Sequence, residues 1–139
     1  MYLLKITLLT LLISSSSFAH SLRCVRIFSE ATSKLFVSVS NLGTPQATAL
    51  VTVNNRLVFK VDKQSLNYRS VESDNYLELN AIGSARAFYV KLAKSLFDGT
   101  NKTKSITFKI ADRTNYSLLK KLTGYPNFQL NCHLEETED

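Results

Sequence analysis

Glycine and histidine are both scarce in this chain of 139 residues, which contains four glycines and two histidines. A loop that cradles phosphate needs several closely spaced glycines, so the composition argues against nucleotide binding. A serine or cysteine hydrolase needs a histidine beside its nucleophile, and His20 and His133 both lie near the ends of the sequence. The sequence also lacks the HExxH and GxSxG motifs. These absences favour a non-enzymatic protein.

Apolar runs of membrane-spanning length are also missing. A helix that crosses a bilayer needs about 20 apolar residues, and the apolar run at residues 6–13 is much shorter. Lys5 precedes this run, and small residues at Ser17 and Ala19 follow it. That order is typical of a secretory signal peptide. We therefore expect cleavage between Ala19 and His20, no transmembrane segment in the mature chain, and a secreted or periplasmic protein.

Cysteine occurs twice, at Cys24 and Cys132. An even number of cysteines in an exported protein favours a disulfide bond. A Cys24–Cys132 bond would close a loop of roughly a hundred residues, which the chain-entropy relation values at about 4.7 kcal/mol. It would also require the first and last elements of the domain to be neighbours.

Basic residues exceed acidic ones by 17 to 11, and four of the acidic residues close the chain. We therefore divide the sequence into a signal peptide at residues 1–19, a single basic β-rich domain at 20–134 and an acidic tail at 135–139. A basic domain could bind an anionic partner such as an envelope or host surface, but the basic residues are scattered with no run of five, which favours a role in solubility alone. Nucleic acid is disfavoured because no binding motif is present. The candidate anion-binding residues are Lys60, Lys91, Lys94, Lys104 and Lys109.

Alternating apolar and polar residues predict antiparallel strands. The clearest pattern is a tight hairpin, in which two β-rich runs at 49–53 and 56–61 flank Asn54 and Asn55. Asparagine tolerates the positive φ angles that such a turn requires. The same alternation predicts strands at 35–40, 66–70, 76–80, 105–110 and 128–134. The sequence thus predicts a mainly β fold, a small antiparallel sandwich or barrel of about seven to nine strands.

Two segments, 85–97 and 116–122, have apolar residues at both helical and strand spacing. We favour a strand at 85–97, and a short helix is an equal alternative at 116–122. Helices at these places would make the fold α+β.

Strand alternation also bears on a candidate metal site. Cleavage before His20 would place an amine and an imidazole on one residue, and the disulfide bond would draw His133 towards it. Imidazole suits Cu(II), so copper is the cofactor that this arrangement would hold. However, His20 shares the face of Cys24, whereas His133 faces away from Cys132. Copper therefore remains an alternative to a protein without a cofactor.

A cluster of carboxylates at Glu72, Asp74 and Glu78 supplies a second enzymatic hypothesis. A pair of carboxylates can hydrolyse a glycosidic bond, although acidic side chains in a solvated turn look the same in sequence. A concave pocket around Glu72 and Asp74 would favour the hydrolase, and a flat surface would oppose it. The leading hypothesis is an exported, non-enzymatic β domain that binds through its surface or serves in envelope structure. The third hypothesis is a secreted inhibitor or toxin-like factor.

Overall fold

The computed structural model describes residues 18–28, 33–83, 85–112 and 127–138. These residues form nine strands and one turn of 3-10 helix at Lys94–Phe97. The strands are β1 (Phe18–Phe28), β2 (Ser33–Leu42), β3 (Thr48–Val53), β4 (Arg56–Val61), β5 (Arg69–Glu72), β6 (Tyr76–Ile82), β7 (Arg86–Ala93), β8 (Thr103–Asp112) and β9 (Asn127–Glu138).

All nine strands pair antiparallel in a single sheet, in the order β4-β3-β2-β1-β9-β8-β7-β6-β5. The sheet is curled into a half-barrel. Strands β1 and β9 pair at its centre, whereas β4 and β5 form the two edges of the described sheet. Residues 62–68 connect these two edge strands directly, so the middle of the sequence lies at the opening of the half-barrel.

The core fills the concave face, because alternate side chains of each strand point inward. On β7 and β8 the inward residues include Phe88, Val90, Phe108 and Ile110, all fully buried. The rings of Phe88 and Phe108 pack edge to face with centroids 5.9 Å apart. This aromatic pair occupies the core between the two strands.

The predicted hairpin between β3 and β4 is confirmed. Asn54 and Asn55 have φ angles of 50° and 66°, as a two-residue turn with matched twist requires. The Asn54 side-chain oxygen also accepts a hydrogen bond from the Lys34 backbone N–H at 2.9 Å. At the β2–β3 turn, Gly43 has a φ angle of 92°, and a Cβ there would lie 2.7 Å from a Leu77 methyl carbon. Glycine is therefore required at that turn.

The mainly β prediction is confirmed, whereas a helix over 85–97 is wrong. Residues 86–93 form β7, and only the following four residues coil into the 3-10 turn. Strand spacing prevails because Phe88, Val90 and Leu92 all point into the core. The strand predicted at 66–70 begins later, at Arg69, because Asn67 has a φ angle of 56° in the preceding turn. The ambiguous segment 116–122 lies outside the described residues.

Cys24 and Cys132 are directly opposite each other on β1 and β9, and their sulfur atoms lie at bonding distance. Residues 135–138 of the predicted acidic tail continue β9 and pair with β1. β1 begins at Phe18, two residues before the expected mature N-terminus. Within the described ranges, no helix has the length and apolar character needed to cross a membrane.

Candidate functional site

Two cavities lie at opposite ends of β6 and β7. The first, which we call the polar cleft, is lined by His20, Glu72, Asp74, Lys94, Asp98 and Glu136 among others, and has a volume of about 690 Å³. The second, which we call the seam pocket, lies at the opening between the sheet edges. Its lining includes Phe59, Lys60, Val61, Leu66, Ala81 and Arg86, and its volume is about 450 Å³.

His20 is buried at the wall of the polar cleft. It is opposite Glu136 in the β1–β9 register, and its Nε2 lies 2.7 Å from Oε2 of that carboxylate. The imidazole also packs edge-on against Phe97 of the 3-10 turn, with ring centroids 4.8 Å apart. Strand register on one side and the aromatic ring on the other thus fix the orientation of the imidazole.

Two of the three carboxylates that the sequence places in a cluster lie in this cleft. Glu72 and Asp74 both line it, and Oε1 of Glu72 lies 2.9 Å from Nζ of Lys94. Glu78 does not line it, because it alternates with the inward-pointing Leu77 and Leu79 on β6. Glu72 and Asp74 therefore border a concave cleft. Sequence analysis did not foresee that His20 and Glu136 join them.

The two histidines are not brought together. His20 is buried on the concave side, whereas His133 is exposed on the opposite face of the central strand pair, 3.8 Å from Glu135. Among residues whose placement is described, no three histidine, cysteine or acidic side chains are grouped to hold a metal ion. The described residues therefore do not bring His20 and His133 together in one copper site.

The five candidate anion-binding lysines are spread over the molecule. Lys94 lies in the polar cleft and Lys60 in the seam pocket. Nζ of Lys91 lies 4.2 Å from the centre of the Tyr76 ring. Lys109 is opposite Tyr89 in the β7–β8 register, and Lys104 is opposite Cys132 on β9. These lysines do not form one shared site.

The seam pocket combines apolar walls with two cations. Phe59 and Val61 point inward from the edge strand β4, and Ala81 lies across the opening on β6. Lys60 and Arg86 also line the pocket. Apolar walls with a small number of placed polar groups are the usual composition of a small-molecule site, and the volume lies in the usual range.

Arg86 is held in position by two neighbours. Its Nε lies 3.6 Å from Oδ1 of Asp112, a buried carboxylate directly opposite it in the β7–β8 register. Its guanidinium carbon lies 5.9 Å from the centre of the Phe59 ring. Sequence analysis missed Arg86, because its pairing with Asp112 depends on strand register and leaves no local motif.

The connection between β4 and β5 is tied across the opening by side-chain hydrogen bonds. The Tyr68 hydroxyl donates to the Ala47 carbonyl at 2.7 Å, and the Asn67 amide donates to the Ile82 carbonyl at 2.7 Å. Burial raises the pKa of the Tyr68 hydroxyl, and the negative charge of Asp62 acts in the same direction. These bonds support a preformed seam pocket with Leu66 at its rim.

The described residues thus define a mainly β protein with one curled antiparallel sheet and a cysteine pair at disulfide distance. Comparison with protein-family models, with curated proteins and with solved structures finds no match.

Proposed function

We propose that this chain is an exported, non-enzymatic binding domain whose seam pocket takes the apolar chain of a ligand that carries an anionic group. The observation that carries the proposal is the placement of Lys60 and Arg86 beside the apolar side chains of Phe59 and Val61 in one cavity. An apolar ligand would leave water and enter these walls, at about 25 cal/mol for each Å² buried. Its anionic group would contact the two cations.

The position of the cations supports this choice of ligand. Asp62 lies 3.7 Å from Lys60, and Asp112 lies behind Arg86, but neither carboxylate lines the pocket. Arg86 lies over the Phe59 ring at the pocket wall, whereas Lys60 alternates with the inward-pointing Phe59 and Val61 and borders the pocket from the outer side of β4. The secretory leader and the cysteine pair support an extracytoplasmic setting, in the periplasm or outside the cell.

Dodecanoate is the probe that tests the seam pocket. We expect the mature protein to bind it in isothermal titration calorimetry and to bind dodecyltrimethylammonium much more weakly, because the cations repel that headgroup. Lys60→Gln should weaken dodecanoate binding about two- to fivefold, since a partly exposed ion pair contributes about 0.2–1 kcal/mol. Ala85→Trp places a large ring in the pocket lining and should abolish binding.

Lys91→Gln is the matched control, because it removes the same charge outside the seam pocket. We expect it to leave the dodecanoate affinity unchanged. Equal binding of the cationic and anionic detergents, or unimpaired binding by a folded Ala85→Trp variant, would contradict the proposal. Circular dichroism of each variant establishes that it is folded.

A second candidate function is glycoside hydrolysis in the polar cleft, and the concave placement of Glu72 and Asp74 favours it. In that reaction one carboxylic acid protonates the leaving oxygen as the glycosidic bond breaks. The other carboxylate takes a proton from the attacking water or attacks the sugar itself. Lys94 would help to hold the Glu72 side chain in place, because the two groups are in contact.

A panel of nitrophenyl glycosides tests this second candidate. If the cleft is catalytic, Glu72→Gln and Asp74→Asn should each lower the hydrolysis rate by about 10²–10⁴-fold, the usual contribution of a proton-transferring side chain. Glu78→Gln, the same isosteric change outside the cleft, should leave the rate unaltered. Wild-type protein that releases nitrophenol from no member of the panel would count against the hydrolase.

A further inference from the structure

Strands β1–β4 carry basic residues without any acidic ones. These four strands are adjacent in the sheet and contain no aspartate or glutamate. Their basic residues are Arg23, Arg26, Lys34, Arg56 and Lys60. Every carboxylate on the described strands lies on β5–β9. By strand register, Arg23, Lys34 and Lys60 point to the outer face of these strands, whereas Arg26 and Arg56 are opposite the inward-pointing Leu35 and Val53. The outer face of β1–β4 therefore carries three basic residues.

The same four strands expose large apolar side chains. Ile27 is 65% exposed, Phe36 40%, Leu50 40% and Leu57 60%. Phe36 and Leu50 each alternate with buried core residues on their strands, so both point away from the core. Solvent-exposed apolar groups that cluster in this way usually mark an interaction surface.

Strand register aligns this apolar surface. Val25 is opposite Phe36, Phe36 is opposite Thr52, and Thr52 is opposite Leu57. The row therefore crosses all four strands, a distance of about 14 Å for three strand spacings. The next row places Arg23, Ser38, Leu50 and Lys60 side by side. We call the outer surface of β1–β4 the basic face.

We propose that the basic face docks on an anionic lipid bilayer, with Phe36, Leu50 and Leu57 entering the headgroup layer. Exposed Lys34, which is opposite the exposed Ile27 on β1, would contact the anionic headgroups, while the apolar row leaves water. Apolar burial combined with attraction to anionic lipid is the usual basis of peripheral membrane binding. Charge complementarity favours lipid over a second copy of this chain, because two basic faces would repel each other.

Two of the basic residues should contribute less to membrane binding than the others, because each lies near a carboxylate. Arg23 is ion-paired with Glu135, and Lys60 lies 3.7 Å from Asp62. The test therefore uses Lys34, which is exposed on the basic face and lies outside the lining of the seam pocket. This choice keeps the membrane proposal independent of the ligand proposal.

Vesicle flotation of the mature protein tests the basic face. We expect it to float with vesicles of phosphatidylcholine and phosphatidylglycerol, to remain unbound with pure phosphatidylcholine, and to dissociate as the salt concentration rises. Lys34→Gln should lower the partition coefficient about fivefold, because each basic residue near an anionic surface contributes about a fivefold factor. Phe36→Ser should weaken the binding that persists at higher salt.

Lys91→Gln is the matched variant, because it removes one lysine from β7, outside the basic face. We expect it to float like the wild type. The proposal would be overturned if this variant lost vesicle binding to the same extent, or if the wild type bound neutral and anionic vesicles equally. A concentration-dependent dimer that Phe36→Ser disperses would also overturn it, because the apolar row would then be an interface between copies. Lys34→Gln should bind dodecanoate normally, so a loss of vesicle binding can be told apart from a loss of ligand binding in the seam pocket.

Discussion

Replacing Phe108 by alanine is expected to lower the free energy of unfolding by about 3–5 kcal/mol, the usual cost of removing a buried phenylalanine. Phe108 is fully buried on β8 and packs edge to face with Phe88. Its loss leaves a cavity in the core between β7 and β8 and also removes the ring pair. Because the free energy of unfolding of a small domain is only about 5–15 kcal/mol, this substitution would remove a large part of it.

Urea unfolding followed by far-ultraviolet circular dichroism measures this effect, since the chain has no tryptophan. Phe36→Ala is the matched control, because Phe36 is a strand phenylalanine that is 40% exposed. We expect its cost to be well below that of Phe108→Ala. Similar costs for the two variants would show that the assigned inward and outward faces of the sheet are incorrect. Phe88→Ala tests the same pair from β7 and should approach the cost of Phe108→Ala.

Removing the Cys24–Cys132 link is expected to lower the free energy of unfolding by about 2–5 kcal/mol. The two residues are 108 positions apart, so the bond restricts a long loop in the unfolded chain. The β1–β9 backbone pairing is available with or without the bond. The effect should therefore arise mainly in the unfolded state, although the strictly entropic account of disulfides is model-dependent.

The Cys24→Ala/Cys132→Ala double variant, compared with wild-type protein before and after reduction, measures this effect by urea unfolding. Reduced wild type and the double variant should have similarly lowered midpoints. A reducing agent added to the double variant is the control, and it should change nothing further. An unchanged midpoint after complete reduction of the wild type would contradict the prediction, as would labelling of free thiols in native, unreduced protein.

Several features of the fold follow from local rules in the sequence. The hairpin at Asn54 and Asn55 could be predicted because few residue types accept positive φ, and two in succession leave little choice of turn. The inward direction of Cys132 follows from alternation with its apolar neighbours on β9. Such features depend only on residues close together in the chain.

The candidate sites depend instead on which strands become neighbours. Arg86 and Asp112 are paired only through the β7–β8 register, and the polar cleft combines β1, β9 and the turns beside β5 and β7. Dependence on a neighbouring strand also explains why the acidic tail was not predicted as a strand. Glu135 and Glu136 have low strand propensity, but they contact Arg23 and His20 on β1, and these cross-strand contacts favour the extension.

The central position of β1 and β9 has a consequence for the order of assembly. β1 is the earliest described strand and β9 the latest, yet they are hydrogen-bonded partners. Contacts between residues so distant along the chain form slowly, because a long loop must close before they are gained. The middle of the sheet is completed only when the β9 residues have emerged from the ribosome. In the exported protein that we propose, this order would keep the sheet open during translocation and delay its closure until the chain has crossed the membrane.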